Sequence, residues 1–187
     1  MNHAIIVHGW KSKPESNWKP WLKKELEATG AWNVDVPAMP NPEHPAASEW
    51  TEKLMQTVGR PTTNTYLIGH SLGCITILRY LETLSENEKV GGVIMIAGFG
   101  EKFSEYKGQH DTFFDHELDW TNIREHCDKF VAIHSDNDPF IKLDQMDLFK
   151  NKLQAKGIVL HDKGHFGSED GIFEVPFVFE ELQKLLV

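Results

Sequence analysis

Residues 65–84, TYLIGHSLGCITILRYLETL, form the stretch of sequence that decides the fold. The apolar run Thr65–Ile68 is typical of a buried strand, and Cys74–Leu84 has the pattern of a deeply buried helix. Between them, GHSLG at residues 69–73 matches the G-x-S-x-G sequence of a nucleophile elbow, in the strand–turn–helix setting that this motif requires. Ser71 is therefore the candidate nucleophile, and the helix N-terminus behind it suits a developing oxyanion.

The same alternation of strand and helix extends over the whole chain. Strands are predicted at Ala4–Val7, Trp32–Val36, Thr65–Ile68, Val90–Ala97, Phe130–His134 and Ile158–Leu160. Helices are predicted around Trp18–Leu26 (with Ser16 or Asn17 as its cap), Ala47–Val58, Cys74–Leu84, Trp120–Glu125, Met146–Leu153 and Val178–Leu186. This pattern predicts an α/β fold, a three-layer α/β/α sandwich around a mainly parallel sheet of about six strands. No repeat or linker divides the sequence, so residues 1–187 are expected to form a single domain.

The composition is that of an ordinary globular chain with an acidic balance. Of 187 residues, 40% are apolar, and 28 acidic residues against 19 basic ones give a formal charge of −9. Because Lys and Arg form no cluster, nucleic acid is not an expected partner. No glycine-rich phosphate-binding motif follows a strand, and no metal-ligand spacing is present. We therefore expect no cofactor and no metal.

The cysteines and the start of the chain bear on its location. Cys74 and Cys127 form no C-x-x-C pair, which indicates two reduced thiols. The apolar run near the N-terminus is short and has no basic region before it, unlike a signal peptide. No apolar run is long enough to span a membrane. These features favour a cytoplasmic protein that acts on a small molecule.

A serine nucleophile needs a base, and the base needs an acid that orients it. In this architecture the partners follow in the order serine, acid and histidine, each in the loop after a strand. Asp138 lies just beyond Phe130–His134, and His165 lies just beyond Ile158–Leu160. Since catalytic groups gather at the carboxyl ends of parallel strands, we expect all three side chains at one edge of the sheet.

Each of the two partners has a rival nearby. Asp136 is the alternative acid, and Asp138 is preferred because Pro139 stiffens the turn after it. His161 is the alternative base, but it lies too close to the end of its strand. A capping or turn role remains the alternative for either aspartate.

The oxyanion of the reaction needs two N–H donors. One is expected to be the backbone N–H of Leu72, the residue after the nucleophile, and the other should come from the loop after an early strand. That loop is His8-Gly9-Trp10, directly after Ala4–Val7. Gly9 would let the backbone approach the substrate, and the N–H of Trp10 is the candidate second donor.

Several aromatic residues are expected in or near the loops above the edge of the sheet. They could line an apolar substrate pocket or pack the irregular segment 98–117 down onto the fold, and the sequence does not decide between these roles. They are Phe113, Phe114, Trp120, Phe140 and Phe166.

Taken in order, these motifs resemble the α/β-hydrolase superfamily and, within it, the small serine hydrolases related to retinoblastoma-binding protein 9 and YdeN. The segments that carry the resemblance are HGW at 8–10, NWKPWL at 17–22, GHSLG at 69–73, SDNDPF at 135–140, GHFG at 164–167 and SEDG at 168–171. The resemblance implies a minimal, lidless α/β-hydrolase with Ser71 as nucleophile, Asp138 as acid and His165 as base. The mammalian relatives carry a Leu-x-Cys-x-Glu motif, but here Leu72-Gly-Cys74-Ile-Thr76 lacks the Glu, so a retinoblastoma-type partner is not expected.

These inferences lead to one expected activity and two alternatives. The expected activity is hydrolysis of carboxylic esters, which could extend to amides, through a Ser71-His165-Asp138 triad and an acyl-enzyme. A catalytically idle binding protein could keep the same fold as a scaffold. An acyltransferase or lyase could use the same triad.

Overall fold

The computed structural model describes residues 1–103, 107–108 and 110–186, and in this part of the chain six strands form one sheet. The strands are β1 (Asn2–Val7), β2 (Trp32–Asp35), β3 (Thr65–His70), β4 (Gly92–Ile96), β5 (Phe130–Ser135) and β6 (Lys156–Leu160). The helices are α1 (Lys19–Ala28), α2 (Ala47–Val58), α3 (Leu72–Leu81), α4 (Trp120–Glu125), α5 (Leu143–Leu153) and α6 (Pro176–Leu185), with a short 3-10 turn at Asp111–Phe114.

The strands lie in the order β2-β1-β3-β4-β5-β6, and every neighbouring pair is parallel. The predicted three-layer α/β/α architecture is confirmed. The direction in which strands are added reverses between β1 and β3. In open parallel sheets a crevice forms beyond the carboxyl ends of the strands at such a point. The loops after β1 and β3 therefore meet there, and they carry Gly9 and Ser71.

Two apolar cores fill the layers on either side of the sheet. One lies under α2, α3, α4 and α5 and contains Trp50, Phe113 and Phe149. The other lies under α1 and α6 and contains Trp18 and Phe166. Strands β3, β4 and β5 are buried along their whole length, as expected for strands that are covered on both faces.

All ten residues of α3 are buried, which confirms the prediction of a deeply buried helix. The helix begins at Leu72, two residues earlier than predicted, because the turn at Ser71 leads into it directly. The predicted cap of α1 is wrong. The residue before this helix is Trp18, with no side-chain cap, and Pro20 in the first turn removes one amide donor that would need a partner.

The irregular segment after β4 is anchored on α3. The guanidinium of Arg79 is 6% exposed and donates hydrogen bonds to the carbonyl oxygens of Phe113 and His116. It also forms an ion pair of 2.8 Å with Glu82. Residues 104–106 and 109 of this segment lie outside the described residues. No helix in the described part of the chain has the length and apolarity that a membrane crossing requires.

Candidate active site

Ser71 sits on a sharp turn between β3 and α3. Its backbone has φ 52° and ψ −118°, a conformation that side chains rarely adopt. A methyl group added at Gly69 would lie 2.8 Å from the Cys74 backbone, and one added at Gly73 would lie 2.3 Å from the Val7 carbonyl oxygen. Both flanking glycines are therefore required by the close approach of strand and helix.

This packing predicts that Gly73→Ala destabilises the protein. The added methyl group meets backbone atoms of β1, which cannot swing away, and overpacking of this kind costs on the order of 3 kcal/mol. For a chain of this size, we expect the midpoint of thermal unfolding to fall by roughly 6–12 °C. Gly167→Ala is the matched control, because an added methyl group there would be 3.5 Å from its nearest neighbour. Equal midpoints for the two variants would contradict this account.

A carboxylate–imidazole pair lies at the same edge of the sheet. The Nδ1–H of His165 donates to Oδ2 of Asp138 at 2.8 Å, and the Asp138 side chain is fully buried. The other oxygen, Oδ1, accepts from the backbone N–H groups of Phe140 and Ile141 at 2.8 and 3.0 Å. These bonds fix the carboxylate. Because Nδ1 carries the donated proton, the Nε2 atom of His165 is left as the acceptor.

The rival residues form a separate pair on the surface. Asp136 accepts from Nδ1 of His161, whose side chain is 83% exposed. Asp136 also accepts from the Asp162 backbone N–H, and these hydrogen bonds hold the pKa of the Asp136 carboxyl below its ordinary value. Neither rival lines the cleft that contains Ser71. The structure therefore brings Asp138 and His165 towards Ser71 and leaves Asp136 and His161 outside.

The loop that carries His165 is held by its carbonyl groups. The Nε2–H of His70 donates to the His165 carbonyl oxygen at 2.8 Å, and the Trp18 indole N–H donates to the Phe166 carbonyl oxygen at 3.1 Å. Burial lowers the pKa of His70 far below its ordinary value, and the nearby charges of His165 and Lys19 lower it further. His70 therefore stays neutral and keeps its donor on the loop at neutral pH.

Side-chain oxygens hold the same loop by its N–H groups. Asp170 accepts from the backbone of both His165 and Gly167 at 2.9 Å. Asn137 accepts from Gly164 at 2.8 Å. The imidazole is thus mounted on a loop with hydrogen bonds on both sides, as a preorganised base requires.

The loop after β1 lies against Ser71. A methyl group added at Gly9 would be 3.1 Å from the Cβ of Ser71. The Gly9 carbonyl oxygen accepts from His8 Nδ1–H at 2.8 Å and from the Ser12 N–H at 3.3 Å. In a trans peptide the C=O and N–H groups point in opposite directions. The two hydrogen bonds that hold the Gly9 carbonyl group therefore also fix the direction of the Trp10 N–H.

The two predicted oxyanion donors are both available. In the described part of the chain, the Trp10 backbone N–H donates to no other residue. Leu72 is the first residue of α3, so its N–H has no partner within the helix.

His8 is fixed in one neutral form. Its Nε2 accepts from the Met39 N–H at 3.1 Å, and burial lowers its pKa.

A cleft of about 870 Å³ opens above Ser71 and His165. Both apolar and polar side chains line it. The apolar lining residues include Trp10, Phe99, Phe103, Phe140 and Ile141. The polar lining residues include Ser12, Ser16, Asn17, Ser168, Glu169 and Asp170. The site therefore offers contacts for both apolar and polar groups of a bound molecule.

Most of the aromatic residues considered for the pocket are elsewhere. Among the described residues, Phe140 is the one member of that set that lines the cleft, and its ring contacts His165 edge-on with centroids 5.2 Å apart. Phe113 and Phe166 are fully buried in the two cores, and Phe114 packs against the first core. Trp120 lines a separate polar groove beside α4. For these four residues, packing rather than substrate contact determines their position.

Sequence reasoning missed Phe99, Phe103 and Ile141 as lining residues. A signal was available, because Phe99 and Phe103 follow β4 at its carboxyl end and Ile141 follows the candidate acid. Among the residues that the structure describes, no three His, Cys, Asp or Glu side chains are grouped so that they could hold a metal ion.

The expected hydrogen bond between the Ser71 hydroxyl and the His165 ring is not formed in the described structure. In the described structure the Ser71 hydroxyl forms no hydrogen bond, and the His165 ring is bonded to Asp138 alone. Both side chains line the same cleft. Catalytic hydrogen bonds of this kind are often long before substrate binds and tighten in the complex.

Comparison with known proteins adds to this geometry. The family model described as serine hydrolase matches residues 4–184. The chain is 32% identical over 179 residues to YdeN of Bacillus subtilis (strain 168), and this match covers 96% of this chain and 93% of YdeN. It is 27% identical over 165 residues to the serine hydrolase RBBP9 of Rattus norvegicus, covering 87% and 86% of the two chains.

A solved structure agrees with the sequence matches. The crystal structure of the ydeN gene product from B. subtilis superposes with a TM-score of 0.93 at 30% sequence identity. The superposition covers 100% of this chain and 99% of that one. The fold described above is therefore shared along the whole chain, including the loops that carry the site.

Proposed function

The chain belongs to the serine hydrolase family, and on that premise we propose that it hydrolyses carboxylic esters through a triad of Ser71, His165 and Asp138. The observation that carries the proposal is the hydrogen bond between the buried carboxylate of Asp138 and the His165 imidazole, which lines the same cleft as Ser71. Such a pair provides the base that a serine hydroxyl needs in order to attack a carbonyl carbon.

The first half of the reaction forms an ester on the enzyme. His165 Nε2 takes the proton from the Ser71 hydroxyl as the oxygen attacks the carbonyl carbon of the substrate. The tetrahedral oxyanion accepts hydrogen bonds from the N–H groups of Trp10 and Leu72. His165 then gives its proton to the leaving alcohol, the bond from carbon to that alcohol breaks, and the acyl group stays on Ser71.

The second half releases the acid. A water molecule gives a proton to His165 and attacks the acyl carbon, which forms a second oxyanion in the same place. The bond to Ser71 breaks, and the serine oxygen recovers the proton from His165. Throughout, Asp138 keeps the imidazole in the tautomer that leaves Nε2 free and stabilises the imidazolium form. Water supplies the atoms that balance the reaction.

The mixed lining of the cleft favours an ester with both apolar and polar groups. We place the acyl chain against Phe103 and Phe140, and the alcohol beside Ser16 and Asn17. Contact with the two rings would remove apolar surface of the acyl chain from water. Small apolar differences in such a pocket are worth about 1–3 kcal/mol, so discrimination among acyl chains should be modest.

Replacing Phe103 by alanine tests this placement. The Phe103 ring packs on Phe99 with centroids 5.0 Å apart, and it lines the cleft. We expect kcat/KM for octanoyl esters to fall roughly 10-fold, mainly through KM, while acetyl esters are little affected. Phe173→Ala is the matched control, because that ring is 57% exposed and does not line the cleft. Equal losses for acetyl and octanoyl esters would contradict the placement.

The reaction class is tested with p-nitrophenyl esters from acetyl to dodecanoyl and with the matching anilides. Release of the free acid by the wild type and its loss in Ser71→Ala would support ester hydrolysis. Transfer of the acyl group to a simple alcohol added at millimolar concentration, in preference to water, would indicate an acyltransferase. No turnover of any ester by the wild type would contradict the proposal and leave a scaffold that binds without reacting.

A further inference from the structure

Lys19 is the most unusual charged residue outside the triad. It is the first residue of α1, and its side chain is wholly buried. Its ammonium donates to the Ser12 hydroxyl oxygen at 3.1 Å, the one hydrogen bond from this side chain in the described structure. A buried charge without an ion pair is costly, and a cation at a helix N-terminus also opposes the helix dipole. Two unfavourable features at one position suggest a functional reason for it.

The hydrogen bond of Lys19 leads to the loop after β1, and its ammonium also lies 5.6 Å from the centre of the Trp18 ring. Ser12, its hydrogen-bond partner, lines the substrate cleft. The backbone N–H of Ser12 also donates to the Gly9 carbonyl oxygen, which fixes the peptide that carries the Trp10 N–H. Lys19 thus supports, through one residue, the turn that aims an oxyanion donor.

The ammonium also adds a positive charge near this side of the site, whose cleft is itself lined by Lys11, Lys107, Glu169 and Asp170. The Lys19 ammonium interacts electrostatically with Glu15 from the preceding loop, His8 after β1 and His70 at the end of β3. Burial lowers the pKa of both histidines, so both are neutral at neutral pH. Glu15 is exposed, and water screens its charge.

We propose that Lys19 is a positioning residue of the oxyanion hole, which holds the Gly9–Ser12 turn through the Ser12 hydroxyl and adds positive potential behind the negatively charged tetrahedral intermediate. This inference rests on the proposed hydrolase function. A buried charge acts more strongly on a developing oxyanion than an exposed one, because little water lies between them.

The proposal has a pH dependence with a definite sign. Burial lowers the pKa of Lys19 to about 8, so its charge is lost as pH rises through that value. The rate of acyl transfer should therefore decline above about pH 8. Stability moves the other way. Because the folded-state pKa lies below the ordinary 10.5, the charged lysine destabilises the fold at neutral pH, and this cost is relieved between pH 8 and 10.5.

The decisive variant is Lys19→Met, which keeps the length of the side chain and removes its charge. With p-nitrophenyl acetate at pH 7, we expect kcat to fall about 10-fold, less than the ~10²–10³ seen when a direct donor is removed, with KM nearly unchanged. The decline of the wild-type rate above pH 8 should be absent in the variant. The midpoint of thermal unfolding at pH 7 should stay the same or rise. The control is Lys24→Met, since Lys24 is an exposed residue of the same helix and does not line the cleft.

The outcomes separate this inference from the proposed function. If the wild type hydrolyses the ester and Lys19→Met keeps its kcat and the alkaline decline, the inference is wrong and the triad stands. If the wild type is inactive, the proposed function itself fails. Should Lys19→Met not fold, Ser12→Ala provides the second test. It removes the hydrogen bond but keeps the charge, so we expect a lower kcat with the alkaline decline retained, and an unchanged kcat would overturn the positioning role.

Discussion

Replacing Ser71 by alanine is expected to lower kcat for ester hydrolysis by about a millionfold, to the level supplied by the rest of the site. The substitution removes the oxygen that attacks the carbonyl carbon. It keeps the Cβ and the positive φ of the elbow, since alanine tolerates φ 52° no better and no worse than serine. The midpoint of thermal unfolding should therefore change by no more than about 2 °C.

The control for this variant is Ser85→Ala. Ser85 is an exposed serine beyond the far end of α3, distant in sequence from every loop of the site. Its substitution should leave kcat unchanged. A folded Ser71→Ala protein that hydrolyses esters at more than a hundredth of the wild-type rate would show that Ser71 is not the nucleophile.

The second large effect is expected for Asp138→Asn, with a fall in kcat of about ten-thousandfold. The asparagine can still accept from the Phe140 and Ile141 N–H groups through its oxygen, so the turn should keep its shape. Its NH₂ group then faces His165 Nδ1, which must act as an acceptor. The ring proton moves to Nε2, and the base can no longer take the proton of Ser71.

Asp136→Asn is the matched control for that variant, because it makes the same chemical change two residues away. Asp136 pairs with the exposed side chain of His161 and does not line the cleft. Because an exposed pair adds little to stability and Asp136 lies outside the cleft, we expect kcat to stay within about twofold of the wild type. The opposite pattern, with Asp136→Asn inactive and Asp138→Asn active, would show that Asp136 rather than Asp138 is the acid.

The fold could be predicted from local features of the sequence. Buried parallel strands are short continuous apolar runs, and Thr65–Ile68 and Phe130–His134 each lie within an observed strand. The ends were less predictable. Strand β6 begins at Lys156 rather than Ile158, because it lies at the edge of the sheet and its exposed first residues carry no apolar signal.

The positions of the candidate triad followed from topology rather than from residue type. Parallel strands end at one edge, so the loops after β3, β5 and β6 had to converge, and the motifs in them identified Ser71, Asp138 and His165. The aromatic residues could not be assigned in the same way. Whether Phe113 or Phe99 lines a cleft depends on how a loop folds back. In this molecule Arg79 of α3 donates a hydrogen bond to the Phe113 carbonyl oxygen, and Phe113 does not line the cleft.

The supporting residues were also beyond sequence reasoning. The roles of His8, His70 and Lys19 arise from hydrogen bonds to backbone atoms or to a residue of another loop. No spacing rule encodes such contacts. The sequence predicted which side chains are candidates for the reaction, and the structure adds the residues that hold these candidates in place.

The central claim is that the Ser71 hydroxyl is activated by the Asp138–His165 pair. Mass spectrometry of the whole protein after treatment with a fluorophosphonate, followed by peptide mapping, tests this claim most directly. We expect one adduct on Ser71 in the wild type, none in Ser71→Ala and greatly slowed labelling in Asp138→Asn. An adduct on a different residue, or no adduct on a folded wild-type protein, would contradict it.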